Sequence, residues 1–135
     1  MKKIYKFKYA KLVRDKIPAI IKRDGAVVSK KVLGTADYIR ELKKKLTEES
    51  AELVEAAGQH EILSELADLE EVLDNLRRAA RIEPAELKAV RDKKRAQNGS
   101  FRRRFYINHI VADEKTDPAW LRYHLKRRKK FPLIK

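Results

Sequence analysis

Thr47-Glu48-Glu49-Ser50-Ala51-Glu52-Leu53 and, with twelve residues between Glu52 and Glu65, Glu65-Leu66-Ala67-Asp68-Leu69 are the stretches whose reading decides the fold. Both lie in runs whose apolar residues recur at helical spacing. At about 100° per residue, one stripe takes in Ile39, Leu42, Leu46, Leu53 and Ala57, and the next takes in Ile62, Leu66, Leu69, Leu73, Leu76 and Ala80. Glu49 falls inside the first stripe, where the pattern calls for a hydrophobe, and Glu52 lies at its edge, roughly 60° away. Glu65 falls within the second stripe and Asp68 borders it. Each helix therefore directs a carboxylate pair toward the face that should meet its neighbour. Gly58 reads as the stop between two antiparallel helices, which brings the pairs together because Glu52 and Glu65 are each six or seven residues from it.

The charge pattern sharpens this. From Glu48 to Asp74 there are ten acidic residues and no Lys or Arg, in a protein of formal charge +14. Segregation on that scale is costly unless a cation sits among the carboxylates. Unpaired carboxylates at a helix interface are disfavoured both by desolvation and by mutual repulsion. A solvated acidic face accounts for Glu55, Glu70, Glu71 and Asp74, which lie off the stripes. It does not account for Glu49 and Glu65, which interrupt apolar rows. Hard oxygen donors without His or Cys select Mg2+, or Mn2+ in its place, over zinc. The basic shell around them then faces an anion such as a polyphosphate.

Working outward, the spacing predicts an all-α chain. A short helix is expected over Asp15–Asp24, with Pro18 in its first turn and Gly25 closing it. Thr35 or Asp37 is expected to cap the first long helix, which runs to about Ala57, and the second runs from about His60 to Ala80. Pro84 opens a third helix that ends near Asn98-Gly99, and Asp117-Pro118 starts a short helix carrying Trp120, Leu121 and Leu125. Ala26–Leu33 reads as extended, and Phe101–Val111 as a strand or an extended arm. Tyr5, Phe7 and Tyr9 alternate with Lys and read as an edge strand or as a surface for stacking bases.

Composition bounds the rest. A chain of 135 residues, 43% hydrophobic and 40% charged, is a single helix-rich soluble domain close to the size at which oligomerisation completes the core. No apolar run approaches the roughly 18 residues of a membrane span. The opening Met1-Lys2-Lys3-Ile4-Tyr5 has no apolar stretch behind it, so no secretory leader is expected. The absence of Cys excludes disulfides and thiolate metal sites and suits a cytoplasmic protein. His60, His109 and His124 show no ligand spacing.

With these residues in hand, the chain resembles the MazG-like all-α nucleoside triphosphate pyrophosphohydrolases. Glu48-Glu49-Ser50-Ala51-Glu52 followed by Glu65-Leu66-Ala67-Asp68 matches their carboxylate signature. Lys11-Leu12-Val13-Arg14-Asp15-Lys16-Ile17-Pro18 looks like the opening of the house-cleaning branch, and Lys94 with Gly99-Ser100-Phe101 looks like the end of its third helix. The resemblance covers about residues 9 to 107. It implies that Glu49, Glu52, Glu65 and Asp68 hold Mg2+ against a triphosphate, and that Arg14, Lys16 and Lys94 meet the phosphates. Glu48 reads either as a base that orients water or as a solvated residue. The implied reaction is hydrolysis of nucleoside triphosphates, normal or aberrant, to monophosphate and pyrophosphate. The implied architecture is a helical bundle whose four-helix core is completed by a second subunit, as a homodimer or homotetramer, with short extended arms. Tyr38 reads as lining a base pocket or as flanking the first helix's core.

Two features depart from the pattern. Gln97-Asn98 stands where relatives carry Lys-Arg, and nothing in the pattern matches Asn108–Lys135. The division expected is therefore a catalytic domain over 1–107 and a basic extension over 108–135. Arg102-Arg103-Arg104 and Lys126-Arg127-Arg128-Lys129-Lys130 suit contact with a phosphate backbone, so a nucleic-acid-binding helical protein is the competing reading. A pure binding module has no need for carboxylates on two facing core stripes.

Overall fold

The computed structural model describes all 135 residues, Met1 to Lys135. It holds five α-helices and no strand: α1 (Ile17–Arg23), α2 (Thr35–Glu55), α3 (Gly58–Ala79), α4 (Pro84–Asn98) and α5 (Pro118–Leu125). The chain divides into two compact units, Met1–Gln97 and Asn98–Lys135. Residues 1–10, Ala26–Leu33 and Phe101–Val111 form no strand. None of the three finds a partner with which to build a ladder, and Phe101 instead enters a turn in which the Arg104 N–H donates to its carbonyl.

In the first unit, α2 and α3 form a hairpin. Its antiparallel sense follows from the short connection and from the pairing of side chains: Tyr38, near the start of α2, donates its hydroxyl to Asn75 Oδ1, near the end of α3, at 3.3 Å. That contact places Tyr38 at the helix interface. The expected cap of α2 is corrected here. Gly34 holds the N-cap position in extended backbone and no side chain caps the helix. Thr35 is already helical, and Asp37 is engaged by Arg40 at 2.7 Å.

Gly58 also differs from expectation. It does not stop α2; it opens α3, with φ of +81°. Only Ala56 and Ala57 link the helices, and the left-handed turn needed to reverse the chain falls on the residue without a Cβ. The new helix is anchored at once, since the Ala57 N–H donates to Glu61 Oε2 at 2.8 Å.

The buried side chains of the hairpin are Leu42 (3% exposed), Val72 (8%) and Glu49 (7%). On α2 the expected stripe points inward: Leu42 is buried and Ile39, Leu46 and Leu53 are half-buried. On α3 the face turned inward is rotated from the expected one. Val72, outside the predicted stripe, is buried, whereas Ile62, Leu66 and Leu73 remain 40–48% exposed. The apolar arc of α3 is wider than one neighbouring helix can cover.

The end of α3 is locked by side chains. Arg77 holds Asp74 at 2.9 Å and donates to the Ile82 carbonyl at 2.6 Å, while Arg81 takes the left-handed conformation (φ +57°) that lets the chain leave the helix. In α4, Glu86 reaches back to the Glu83 N–H at 2.8 Å, and every residue of the helix is exposed. In the second unit, Asp117 caps α5 through the Trp120 N–H at 2.7 Å. The Trp120 ring lies 3.7 Å from that of His124, which lies 4.6 Å from Phe131.

Candidate metal centre

Glu49 on α2 and Glu65 and Asp68 on α3 are brought to one place. One carboxylate oxygen from each lies within 4.8 Å of the others. The antiparallel register that pairs Tyr38 with Asn75 also sets Glu49 opposite Glu65, nearer the turn. Asp68, one turn along from Glu65, shares its face. Glu52, one turn beyond Glu49, is exposed and stands outside the group.

Three basic residues from outside the acidic stretch reach this region. Lys45, four residues before Glu49, places its Nζ 3.2 Å from both Glu48 and Glu49. Lys11 pairs with Glu48 at 3.2 Å, and Arg14 pairs with Asp68 at 2.5 Å. Burial works to raise the Glu48 carboxyl, but the hydrogen bonds from Lys45 and Lys11, with their charges, prevail and hold it below the usual carboxylate range. Burial likewise opposes the Lys45 ammonium, yet its hydrogen bonds to Glu49 and Glu48 and the charges of both raise it above the usual lysine value.

Glu65 has no such partner. Its Oε2 is buried without any hydrogen bond. A buried carboxylate oxygen without a partner, on a side chain that shares its place with two other carboxylates, is unfavourable as it stands, and a cation is a group that relieves it. The chemistry of the donor set agrees, being three hard oxygen ligands with neither sulfur nor imidazole among them. The residues fit a small divalent metal.

The expected phosphate contacts occupy different positions. Arg14 lies against the centre, on Asp68. Lys16 stands exposed at the N-cap of α1 without a capping bond, and Lys94 is exposed on α4. His60 and His109 are exposed, and His124 donates from Nδ1 to the Trp120 carbonyl at 2.9 Å. The residues that the periodicity missed are Lys11 and Lys45. The i, i+4 spacing of Lys45 to Glu49 carried a signal for the second; nothing local points to the first. Compared with family models, with curated proteins and with solved structures, the chain matches none.

Proposed function

We propose that this protein is a Mg2+-dependent nucleoside triphosphate pyrophosphohydrolase of the MazG-like all-α kind. The observation that carries the reading is the convergence of Glu49, Glu65 and Asp68 from two antiparallel helices, with Glu65 Oε2 buried and without a hydrogen-bond partner. When bound, the metal offsets phosphate charge and lowers the pKa of water. Glu49, Glu65 and Asp68 hold it, and Glu52 lies one turn away on the exposed side. Arg14, on Asp68, and Lys45, on Glu49, are the basic side chains already at the centre, and the Arg14 guanidinium is the one suited to meet a triphosphate oxygen. Lys16 and Lys94 supply further positive charge by resemblance to the family pattern. Glu48, kept ionised by its two lysines, orients the attacking water by accepting a hydrogen bond from it. Water attacks the α-phosphorus, the bond to the β-phosphate oxygen breaks, and monophosphate and pyrophosphate leave.

A second copy of the chain completes the bundle in this reading, as a dimer or tetramer. The support is the exposed row Ile62, Leu66 and Leu73 on α3. The test is a product assay with Mg2+ on a panel of normal and modified triphosphates, run beside Glu49→Gln and Arg14→Ala, with calorimetric titration of Mg2+. Monophosphate and pyrophosphate are expected from the wild type. Glu49→Gln is expected to lose turnover and metal affinity together; Arg14→Ala is expected to lose turnover while keeping its metal. No heat of metal binding and no turnover on any triphosphate would overturn the reading.

A further inference from the structure

We propose that the Asn98–Lys135 unit binds single-stranded nucleic acid, independently of the metal centre. It carries eleven Lys and Arg against three acids. Two of those acids are engaged with backbone: Asp117 accepts from the Trp120 N–H and Asp113 from the Lys115 N–H. The ten ion pairs of the chain all lie between Lys11 and Asp92, so no cation of this unit has an internal counter-charge. A dense and unneutralised array of this kind is the footprint expected for a phosphodiester backbone.

The aromatic rings argue for bases as well as phosphates. Arg103 lies 4.8 Å over the Phe105 ring, and Arg127 lies 4.0 Å over the Tyr123 ring. Two shallow grooves repeat the combination: one is lined by Gly99, Arg102, Arg103 and Phe105, the other by Arg122, Tyr123, Lys126 and Arg127. Phe101, Phe105 and Tyr106 are 78–97% exposed in a segment without regular structure, and Phe105 carries Arg103 over its ring. An open ring beside a cation holds an unpaired base by stacking while the cation holds the neighbouring phosphate. A duplex hides its base faces and would leave these rings unused.

An acidic membrane surface would satisfy the charge but not the packing. A helix that lies in a bilayer must present its apolar side to lipid. In α5 that side is closed on itself, with Trp120, His124 and Phe131 stacked together. The exposed side of α5 is mixed, with Arg122 and Tyr123 beside Leu125 and Lys126 following at its end, so no continuous apolar side faces outward.

The test uses the full chain and labelled oligo(U) and oligo(dT), with binding followed by fluorescence anisotropy across a salt series. The expected slope of log affinity against log salt is about −3.5, corresponding to about five phosphates neutralised on a single strand. Replacing Arg102, Arg103 and Arg104 together by Gln is expected to weaken binding about tenfold or more and to flatten that slope. Phe105→Ala, at an exposed ring, is expected to weaken binding about fivefold with the slope unchanged. Glu49→Gln is expected to change nothing here. Circular dichroism of each variant checks that its helices are retained. The proposal is overturned by absence of binding at low salt. Equal or tighter binding of a duplex, or of vesicles of phosphatidylcholine and phosphatidylserine in equal parts, with Phe105→Ala silent, overturns it too.

Discussion

In the α2–α3 hairpin, Glu48, Glu49 and Asp68 each have a cationic partner, whereas none of the eleven Lys and Arg after Gln97 has an acidic one. The two regions carry surplus charge of opposite sign and manage it differently. The hairpin places its carboxylates between packed helices, where a fixed backbone sets their separation and every unmatched charge is expensive. The second unit leaves its cations on the surface, where water screens them and their geometry is loose. A site that must grip a small ion needs the first arrangement. A surface that must follow a flexible polyanion is served by the second. Glu65 is the place where the hairpin stops short of neutrality, and it is therefore where the comparison is most easily broken.

The largest effect is expected from Glu65→Gln, with Mg2+-dependent turnover falling by about a hundredfold or more. The same variant, free of metal, is expected to melt at a higher temperature than wild type, because the orphaned charge is gone. A metal-free melting temperature below wild type would show that Glu65 is matched by something else. Leu42→Ala comes next: truncating a buried leucine is expected to cost about 2–5 kcal/mol in urea unfolding. Leu133→Ala, at an exposed residue of the second unit, should stay within about 0.5 kcal/mol of wild type.

Saturating Mg2+, at about a hundred times its dissociation constant, is expected to stabilise the protein by about 2.7 kcal/mol. Chelation should reverse the gain, and Glu49→Gln should abolish it. The pH dependence is subtler. The folded pKa of Glu48 is lowered, so its ion pairs contribute above the unfolded carboxylate value and are lost as pH falls through the folded one. The folded pKa of Lys45 is raised, so its contribution is full below the unfolded lysine value and is lost as pH rises through the folded one. Urea midpoints should therefore fall away on both sides of a neutral plateau, and Lys11→Ala should move the acid edge upward. The smallest effect is Arg81→Gly, expected to raise stability by a few tenths of a kcal/mol, because glycine relieves the left-handed backbone there.

Much of the helical framework was legible in the residues. Pro84, Asn98-Gly99 and Asp117-Pro118 mark their helix ends by restrictions on φ or by a capping oxygen, and those marks are local. Glu49 and Glu65 were legible as a facing pair because each interrupts an apolar row. What could not be read depends on contacts between distant segments. Val72 is buried while Leu66 is not because of which part of a broad apolar arc α2 covers, and periodicity alone does not rank the two edges of an arc. Glu52 borders the apolar stripe of α2 and Glu49 lies inside it, and the structure buries Glu49 and leaves Glu52 exposed; how far the interface reaches past the stripe's edge depends on the rotation of α2 against α3. Lys11 and Arg14 reach the carboxylates from a segment with no regular structure, so no spacing rule announces them. Gly58 was read as a stop because glycine ends helices more often than it begins them.

The connection between the two helices has a consequence for how the hairpin tolerates change in length. Ala56 and Ala57 are all the chain that separates α2 from α3, so the angular setting of α3 is transmitted rigidly from the end of α2. One residue inserted between Glu55 and Gly58 would add a further pair of free dihedrals to this extended connection, so that it no longer fixed the register and rotation of α3 against α2. Either change would move Glu65 and Asp68 relative to Glu49 while leaving both helices intact. Loop length here acts as a dial on ligand geometry, and a turn that resembles a passive connector sets which oxygens can share an ion.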